Sequence, residues 1–406
     1  MHCMERGNYV MAADEVKTEK KPERIMVFGV GGGGNSVLMR MSETLNFDID
    51  LVAINTEKRV LDRAAATKKI KCIQIGEKLT RDRGTGGNVE LGEQAAREAK
   101  RQIEEAMSGA DLIFITAGMG GGTGTGAAPV VAEIAQSLGI LSIGVVTVPF
   151  SFEGTRKKRT AMAGIRKMQE EMDALIAVDN DNLLKLPENR RMSLVQGFKC
   201  ADQILMQGIE CITELILTTG VINVDFADLT TILRQSTSSD ALLGIGNSRN
   251  SALEAVRLAV TNPLTEKSLL GARGVIVNLT SDDKLPLHDV DEAMNFITEN
   301  TDPEVNIILG TVTNNEMNGA VKAMIIATDF ANSTAPQKQR ATEQPAAAKP
   351  QAAAEPPKRQ ELSAPSFMNH AAQRPAPQQQ PAPSQQPQEK PQQPVWTIPN
   401  FFNNNK

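Results

Sequence analysis

Short continuous apolar runs alternate with helix-like periods along the first half of the chain. Runs of this kind are typical of strands that are buried on both faces. They predict strands over Arg24–Val30, Asp50–Ile54, Asp111–Ala117, Ile140–Val148 and Ala174–Val178. The clearest helical spacing between them covers Asn88–Met107, where Asn88 is a suitable cap. The alternation predicts an α/β fold with a Rossmann-like, largely parallel sheet and helices on both faces.

A long helical pattern over Ser193–Leu217 separates this region from shorter elements. At about 1.5 Å per residue it would extend roughly 37 Å, which suits a helix that joins two domains. The elements that follow predict a smaller α+β domain, with helices over Ser251–Val260 and Asp289–Ile297 and strands over Gly274–Leu279, Val305–Leu309 and Ala320–Ile326. The predicted organisation is a flexible N-terminal segment (1–23), a first domain (24–192), a central connecting helix (193–217), a C-terminal α+β domain (218–330), a disordered linker (331–394) and a docking peptide (395–406).

The last part of the chain differs in composition from the rest. Residues 331–394 are rich in Pro, Gln and Ala and contain few apolar residues, so they cannot bury enough surface to fold. Aromatic and aliphatic residues return in Val395–Phe402, with the sequence VWTIPNFF. An apolar segment at the end of a long tether is typical of a peptide that docks on a partner.

Composition narrows the function classes. The net charge of -5, with one Trp and one Tyr, argues against a nucleic-acid surface. The four cysteines show no CxxC pair, which indicates reduced thiols in a reducing compartment. Neither a signal peptide nor a membrane-spanning apolar run is present, so we expect a cytoplasmic protein without direct membrane insertion.

Glycine dominates two segments, each of which follows a predicted strand and opens a helix. The first is Gly29–Asn35, and the second is Gly118–Gly126, with the sequence GMGGGTGTG. Glycines let the backbone approach a phosphate closely, and the start of a helix directs N–H groups at an anion. The chain has no G-x-x-x-x-G-K-[ST] motif, so we interpret the segments as an oligophosphate cradle that is not a P-loop. A dinucleotide-binding oxidoreductase uses a similar glycine turn, and this alternative stays open here.

The second glycine segment resembles the signature of the tubulin and FtsZ superfamily. The surrounding sequence, from about Arg24 to Phe330, is similar to the FtsZ family of bacterial cell-division GTPases. Three further segments match motifs of the family in the family's order: Phe150–Gly154, Asn223–Asp228 and Ile398–Phe401. The resemblance implies a GTPase that binds GTP or GDP, with Mg²⁺ held mainly by the nucleotide phosphates and water.

The resemblance also implies which residues bind the nucleotide. They are Gly32, Gly33, Gly34, Asn35, Ser36, Gly122, Thr123, Gly124, Glu153, Lys157 and Asp202. Within this set the glycine loops contact the phosphates and Glu153 contacts the ribose. Asp202, on the long predicted helix, accepts hydrogen bonds from the guanine edge. The loop Gly84–Asn88 would cover the γ-phosphate at a helix start.

Asn223, Asp225 and Asp228 are the implied hydrolytic residues. They follow the C-terminal end of the long predicted helix, whereas Asp202 lies near its beginning. The helix from Asp202 to Leu217 spans about 22 Å, too far for these side chains to reach the nucleotide of their own chain. We therefore expect them to orient water at the GTP of a neighbouring subunit. Because such a contact joins two different surfaces, copies would assemble head to tail into a filament.

The implied function is that of a self-assembling filament protein of the bacterial division ring, at mid-cell beneath the inner membrane. Its expected partners are further copies of itself and, through residues 395–406, membrane-tethering and regulatory division proteins. One alternative is a tubulin-like cytomotive filament with a role outside division. Another is a nicotinamide-dependent oxidoreductase, which is disfavoured because His2, His288 and His370 lie in a terminus, the second domain and the tail.

Overall fold

The computed structural model describes residues 23–44, 47–186, 189, 191–218, 220–261 and 268–330. The predicted linker over 331–394 and docking peptide over 395–406 lie outside these residues. All but Glu23 of the predicted N-terminal segment 1–23 lies outside them too.

The strands of the described residues form one mixed sheet. They are β1 Ile25–Val30, β2 Asp50–Asn55, β3 Ile70–Gln74, β4 Leu112–Gly118, β5 Leu141–Val148, β6 Ala174–Asp179, β7 Asp240–Ser248, β8 Ala272–Ser281, β9 Asn306–Thr313 and β10 Val321–Phe330. Their order is β3-β2-β1-β4-β5-β6-β7-β10-β8-β9. The strands from β3 to β7 are parallel, β10 is antiparallel to β7 and β8, and β8 is parallel to β9.

Helices connect these strands. They are α1 Gly31–Thr44, α2 Lys58–Ala65, α3 Glu77–Thr80, α4 Val89–Glu98, α5 Lys100–Met107, α6 Gly122–Ser137, α7 Thr155–Glu171, α8 Leu194–Leu217, α9 Phe226–Gln235, α10 Ala252–Val260 and α11 Leu287–Glu299. None of these described helices is long and apolar enough to cross a membrane.

Each face of the sheet carries its own apolar core, because successive side chains of a strand point to opposite faces. In β1, Val27 belongs to a core that includes Leu38 of α1 and Ile209 of α8. Its neighbour Phe28 belongs to a second core, which includes Ile103 of α5. The α/β fold with helices on both faces of a mostly parallel sheet is therefore confirmed.

The structure divides one predicted helix and shows where a second one begins. The helix expected over Asn88–Met107 is divided into α4 and α5 at Ala99, where ψ is 7° and the helical bond pattern is interrupted. The glycine segment Gly118–Gly126 is not a loop throughout, because α6 already begins at Gly122. The phosphate-cradle glycines of this segment thus lie in the first turn of a helix.

Candidate active site

The sheet order contains a topological switch point between β1 and β4. From β1 the chain adds β2 and β3 on one side, and later β4, β5 and β6 on the other. Loops that leave the carboxyl ends of two such strands in opposite directions open a crevice, where α/β sheets bind ligands. The first glycine segment follows β1 and the second follows β4, so both flank this crevice.

The two glycine segments touch each other through their backbones. Gly31 has a φ of +72°, and a β-carbon there would lie 2.8 Å from the amide nitrogen of Gly124. Gly33 and Gly34 also lie close to β4. A β-carbon at Gly33 would lie 3.0 Å from the backbone of this strand, and a β-carbon at Gly34 would lie 2.3 Å from it. Side chains at these positions would separate the segments, so glycine is required for the contact itself.

Three helices begin at the crevice. α1 begins at Gly31, α6 begins at Gly122, and α4 follows Asn88, whose side-chain oxygen accepts a 3.0 Å hydrogen bond from the Leu91 N–H. The starts of α4 and α6 are in contact, because a β-carbon at Gly122 would lie 2.7 Å from the carbonyl oxygen of Asn88. Converging helix N-termini offer unpaired N–H groups and a positive potential, which favours a multiply charged anion.

The rim of the crevice is open. A β-carbon at Gly32, Gly86, Gly87 or Gly121 would meet no described atom within 4 Å. These glycines come from the three loops that surround the crevice, and their free sides leave room for an oligophosphate. Ser36, also predicted to bind, donates its hydroxyl to the carbonyl oxygen of Gly32 at 3.1 Å.

Buried polar side chains support the loops from beneath. Asn35 donates from Nδ2 to the carbonyl oxygen of Gly29 at 2.7 Å, and its Oδ1 accepts from Asn55 Nδ2 at 2.6 Å. The hydroxyl oxygens of Thr56 and Thr123 lie 3.0 Å apart. Asn55 and Thr56 were absent from the sequence prediction. Their position directly after a buried parallel strand was the signal that could have identified them.

Glu153 and Lys157 form an ion pair beside the second glycine segment. Lys157 Nζ lies 3.1 Å from Glu153 Oε2, and Glu153 Oε1 accepts the N–H of Phe150 at 3.0 Å. A β-carbon at Gly120 would lie 3.0 Å from the carbonyl oxygen of Lys157, so the start of α7 abuts the crevice. The arrangement holds a carboxylate near the crevice that can accept hydrogen bonds from ribose hydroxyls.

Asp202 lies where α8 packs on α1. Arg40 Nε donates to Asp202 Oδ2 at 3.1 Å, and the Asp202 side chain is 18% exposed. Burial raises the pKa of Asp202 above its ordinary value, and Arg40 offsets part of that rise. A partly buried carboxylate of this kind gains from further donors, and the guanine edge supplies two neighbouring N–H groups.

The predicted hydrolytic residues lie apart from the others. The Oδ1 of Asn223 accepts the N–H of Gly220 at 2.7 Å. Asp225 is the N-cap of α9, where its Oδ1 accepts the N–H of Ala227 at 3.3 Å, and Asp228 lies in the first turn. All three side chains are exposed, and two of them lie at the start of a helix.

Two independent estimates separate these residues from the crevice. α8 is unbroken, and its length from Asp202 to Leu217 corresponds to about 22 Å. The hydrolytic segment lies against β9, six strand positions from β4, which corresponds to roughly 29 Å at about 4.8 Å per strand. Neither side-chain length nor a loop movement of ordinary size closes such a gap.

The described residues contain no group of three or more His, Cys, Asp or Glu side chains that could hold a metal ion. Mg²⁺ in nucleotide sites is bound by phosphate and water oxygens with one or two protein ligands. The donors of this chain therefore fit an ion that arrives with the nucleotide better than a metal cage built by the protein.

Comparison with known proteins matches both parts of the chain. Residues 24–188 match the Tubulin/FtsZ family, GTPase domain, and residues 239–331 match the FtsZ family, C-terminal domain. The solved FtsZ dimer of M. jannaschii is 35% identical, with a TM-score of 0.71 over 81% of this chain and 96% of that chain. The CetZ2 protofilament of Haloferax volcanii, with GTPγS bound, shares the fold at 22% identity and a TM-score of 0.65, over 77% of this chain and 94% of that chain.

The matched proteins agree with the geometry of the crevice. The tubulin/FtsZ proteins are GTPases that bind GTP or GDP, and the solved relatives include a dimer and a protofilament. The two family matches lie on either side of α8. By sequence, by fold and by the glycine cradle at its switch point, the chain belongs to the tubulin/FtsZ family of GTPases, in its FtsZ branch.

Proposed function

We propose that this chain is a filament protein of the bacterial division ring, which hydrolyses GTP to GDP and phosphate at the contact between two subunits. The observation that carries the proposal is the separation of roughly 20–30 Å between the glycine crevice and the segment Asn223–Asp228. A chain that holds its binding and hydrolytic residues so far apart needs a second copy to complete the site.

The crevice supports a defined orientation for GTP. The triphosphate accepts hydrogen bonds from backbone N–H groups of Gly32–Gly34 and Gly122–Gly124, which lie at the starts of α1 and α6. Glu153 and Lys157 lie beside the crevice to contact ribose and phosphate, and Asp202 accepts from the guanine edge. Mg²⁺ bound together with the nucleotide would supply positive charge that lowers the barrier to phosphoryl transfer.

Hydrolysis requires an oriented water at the γ-phosphate. Asn223, Asp225 and Asp228 are exposed and acidic or amide groups, so they accept hydrogen bonds from that water when a neighbouring crevice approaches. Assembly thereby completes the active site. The product contact lacks the γ-phosphate, and we propose that the filament loosens as a result.

Two apolar surfaces support a head-to-tail contact. At the nucleotide end, Phe152, Leu194 and Val195 are 60%, 61% and 65% exposed. At the hydrolytic end, Val221 is 85% exposed and Ile222 44%. Clusters of exposed apolar side chains mark interaction sites. Because the two surfaces differ and lie at opposite ends of α8, pairing one with the other gives an open, propagating contact.

The proposed organisation keeps the boundaries predicted from sequence: a GTP-binding domain over 24–192, a central helix over 193–217 and a C-terminal domain over 218–330. The gap between the two family matches, 189–238, contains α8 and supports this division. We further propose a cytoplasmic location at mid-cell beneath the inner membrane, with division partners bound through residues 395–406.

Mixing two inactive variants tests whether the active site is shared. Asp225→Ala keeps its own crevice, while Asp202→Asn keeps its own hydrolytic segment. Asp225→Ala should lose turnover by about a hundredfold or more, since a water-positioning group is worth that much. Asp202→Asn should lose roughly ten- to a hundredfold when GTP is supplied near the dissociation constant of the parent, because its own crevice then stays largely empty. An equimolar mixture should recover about a quarter of the parent rate, because one contact in four joins two intact halves.

Phosphate release measures this recovery. Asp283→Ala serves as the matched control, because Asp283 is an exposed aspartate between β8 and α11 and belongs to neither proposed half-site. The control should keep the parent rate alone. An equimolar mixture of the control with either inactive variant should show about half of that rate, because half of the contacts join two intact halves. A mixture of the two inactive variants that is no faster than their average would contradict a shared site.

A further inference from the structure

One residue of the edge strand β9 forms two hydrogen bonds to the chain that leads into the segment Asn223–Asp228. Thr311 donates its backbone N–H to the carbonyl oxygen of Ile222 at 2.8 Å. Its hydroxyl accepts the backbone N–H of the same residue at 2.8 Å. An edge strand presents backbone groups without a strand partner on its outer side. Thr311 therefore pairs with both polar backbone groups of Ile222, one through its backbone and one through its side chain.

Close contacts seat the same segment on β9. A β-carbon at Gly220 would lie 1.5 Å from the carbonyl oxygen of Thr311, so only glycine fits there. A β-carbon at Gly310 would lie 2.8 Å from the side chain of the buried Val224. The segment is thus anchored before and after its exposed part, and the Gly220 N–H bonds across it to Asn223 at 2.7 Å.

Burial contributes little to the position of the exposed part. Val221 is 85% exposed and Ile222 is 44% exposed, so apolar packing within the chain holds Val221 hardly at all and Ile222 only in part. Hydrogen bonds to the backbone of Ile222 therefore determine the direction in which the chain leaves β9. Asn223 is the next residue, so its orientation depends on those bonds. Asp225 follows two positions later and is held from both sides, by those bonds and by its place as the N-cap of α9.

We propose that Thr311 is a positioning residue for GTP hydrolysis. Its hydroxyl holds Ile222 so that Asn223 and Asp225 reach the neighbouring subunit's nucleotide in the competent geometry. The inference rests on the proposed function, because it requires that this segment acts in hydrolysis. Thr311 itself contacts neither nucleotide nor water in this role, and the crevice lies six strand positions away.

Substitution of the hydroxyl tests the proposal. Thr311→Val removes the hydroxyl at nearly constant volume and keeps the backbone N–H. We expect phosphate release per assembled subunit to fall roughly three- to tenfold, the equivalent of one neutral hydrogen bond. GTP affinity measured on dilute protein should change by less than about twofold, since the crevice is untouched.

Two further variants separate positioning from general damage. Thr311→Ser restores a hydroxyl and should recover most of the parent turnover. Thr313→Val removes a hydroxyl two residues later on the same face of β9, where the side chain is exposed, and should have no effect. Equal losses in the Ser and Val variants, or the same loss in Thr313→Val, would overturn the assignment.

Mixing assigns the effect to one side of the contact. In a mixture of Thr311→Val with Asp202→Asn, the intact segment of the second variant acts on the intact crevice of the first, so those contacts should turn over at the parent rate. A mixture that is no faster than the mean of the two variants measured separately would place the defect in the chain that binds the nucleotide. That result would overturn the proposal. Should Thr311→Val be recovered unfolded, Thr311→Ala takes its place in the same mixture.

The proposal and the proposed function fail differently. If Asp225→Ala hydrolyses GTP normally, the hydrolytic role of the segment is wrong and Thr311 loses its role with it. If Asp225→Ala is inactive but Thr311→Val matches the parent in every readout, the segment acts in hydrolysis and Thr311 does not position it.

Discussion

Asp202 combines a cost to the stability of the nucleotide-free chain with a proposed role in binding guanine. Burial raises its pKa above the ordinary 3.8, so the ionised form is disfavoured in the fold. The raised pKa of Asp202 therefore stabilises the fold at a pH below its unfolded pKa. This contribution is lost as the pH rises through the folded pKa. At neutral pH the chain carries a partly buried charge that only Arg40 offsets, and a guanine base would supply the missing donors.

Asp202→Asn should separate these two effects. At pH 7 the nucleotide-free variant should unfold at the same or a higher urea concentration than the parent. Its GTP affinity should fall by roughly ten- to a hundredfold, the equivalent of about 1.5–3 kcal/mol for hydrogen bonds to a charged group. Equilibrium titration with GTP and with inosine triphosphate, which lacks the 2-amino group, measures the loss of discrimination.

The parent should also lose GTP affinity as the pH falls toward the raised pKa of Asp202, and the variant should not. Asn does not titrate in this pH range, so the Asp202→Asn variant serves as the control for the effects of other titrating groups. A variant that still prefers GTP over inosine triphosphate by the parent ratio would contradict the role of Asp202.

At the scale of elements, the cation of Lys322 stabilises the contact between α8 and β10. Its Nζ lies 3.7 Å from Glu214 Oε2, and Glu210 lies one helical turn earlier on α8. Burial raises the pKa of Glu210, Lys322 lowers it and Glu214 raises it. Two carboxylates at this spacing repel each other, so a cation between them holds the helix in place.

Lys322→Met should therefore lower the free energy of unfolding by about 1–3 kcal/mol at pH 7. Breaking a fully buried ion pair costs about 3–5 kcal/mol, and the loss is smaller here because these side chains keep some exposure. Once Lys322 is removed, burial and the charge of Glu214 still act on Glu210, and both raise its pKa. The deficit should then shrink as the pH is lowered, because a raised folded pKa favours the fold below it. Urea unfolding at pH 7 and pH 5 measures the change, with Lys322→Arg as control. An equal deficit at both pH values would contradict this reasoning.

Buried elements could be predicted from the sequence, whereas elements defined by distant contacts could not. The five parallel strands predicted in the first half, and α8, agree with the structure to within one residue, because continuous apolar runs mark them. β7 was missed because Gly244 and Gly246 resemble turn signals. In the structure they let α10 pack directly on the strand, since a β-carbon at Gly244 would lie 2.3 Å from the carbonyl oxygen of Ala259.

In the candidate site, too, local features could be predicted from the sequence and features that depend on distant contacts could not. The glycine segments could be predicted because their composition is costly without a ligand or a close contact. Asn55, Thr56 and Thr311 could not, because each acts through residues far away in the sequence. The short β3 was missed as well, since its burial is discontinuous over five residues.

At the scale of the whole molecule, the described fold keeps the two proposed half-sites apart. α8 runs unbroken between Asp202 and the segment that leads to Asn223, and the sheet places the crevice and β9 six strand positions apart. In the proposed function, a subunit by itself would present a nucleotide at one end and the hydrolytic side chains at the other. Turnover in this arrangement is a property of the contact between copies, and it depends on how many contacts form.

The rate of phosphate release per subunit, measured across protein concentrations from strictly monomeric to fully assembled, tests this claim most directly. Sedimentation of the same samples gives the assembled fraction. The rate should be close to zero while the chain is monomeric, rise with assembly, and level off once every subunit has a neighbour. A rate per subunit that stays constant over this range, including samples without detectable assembly, would contradict the division of the active site between two copies.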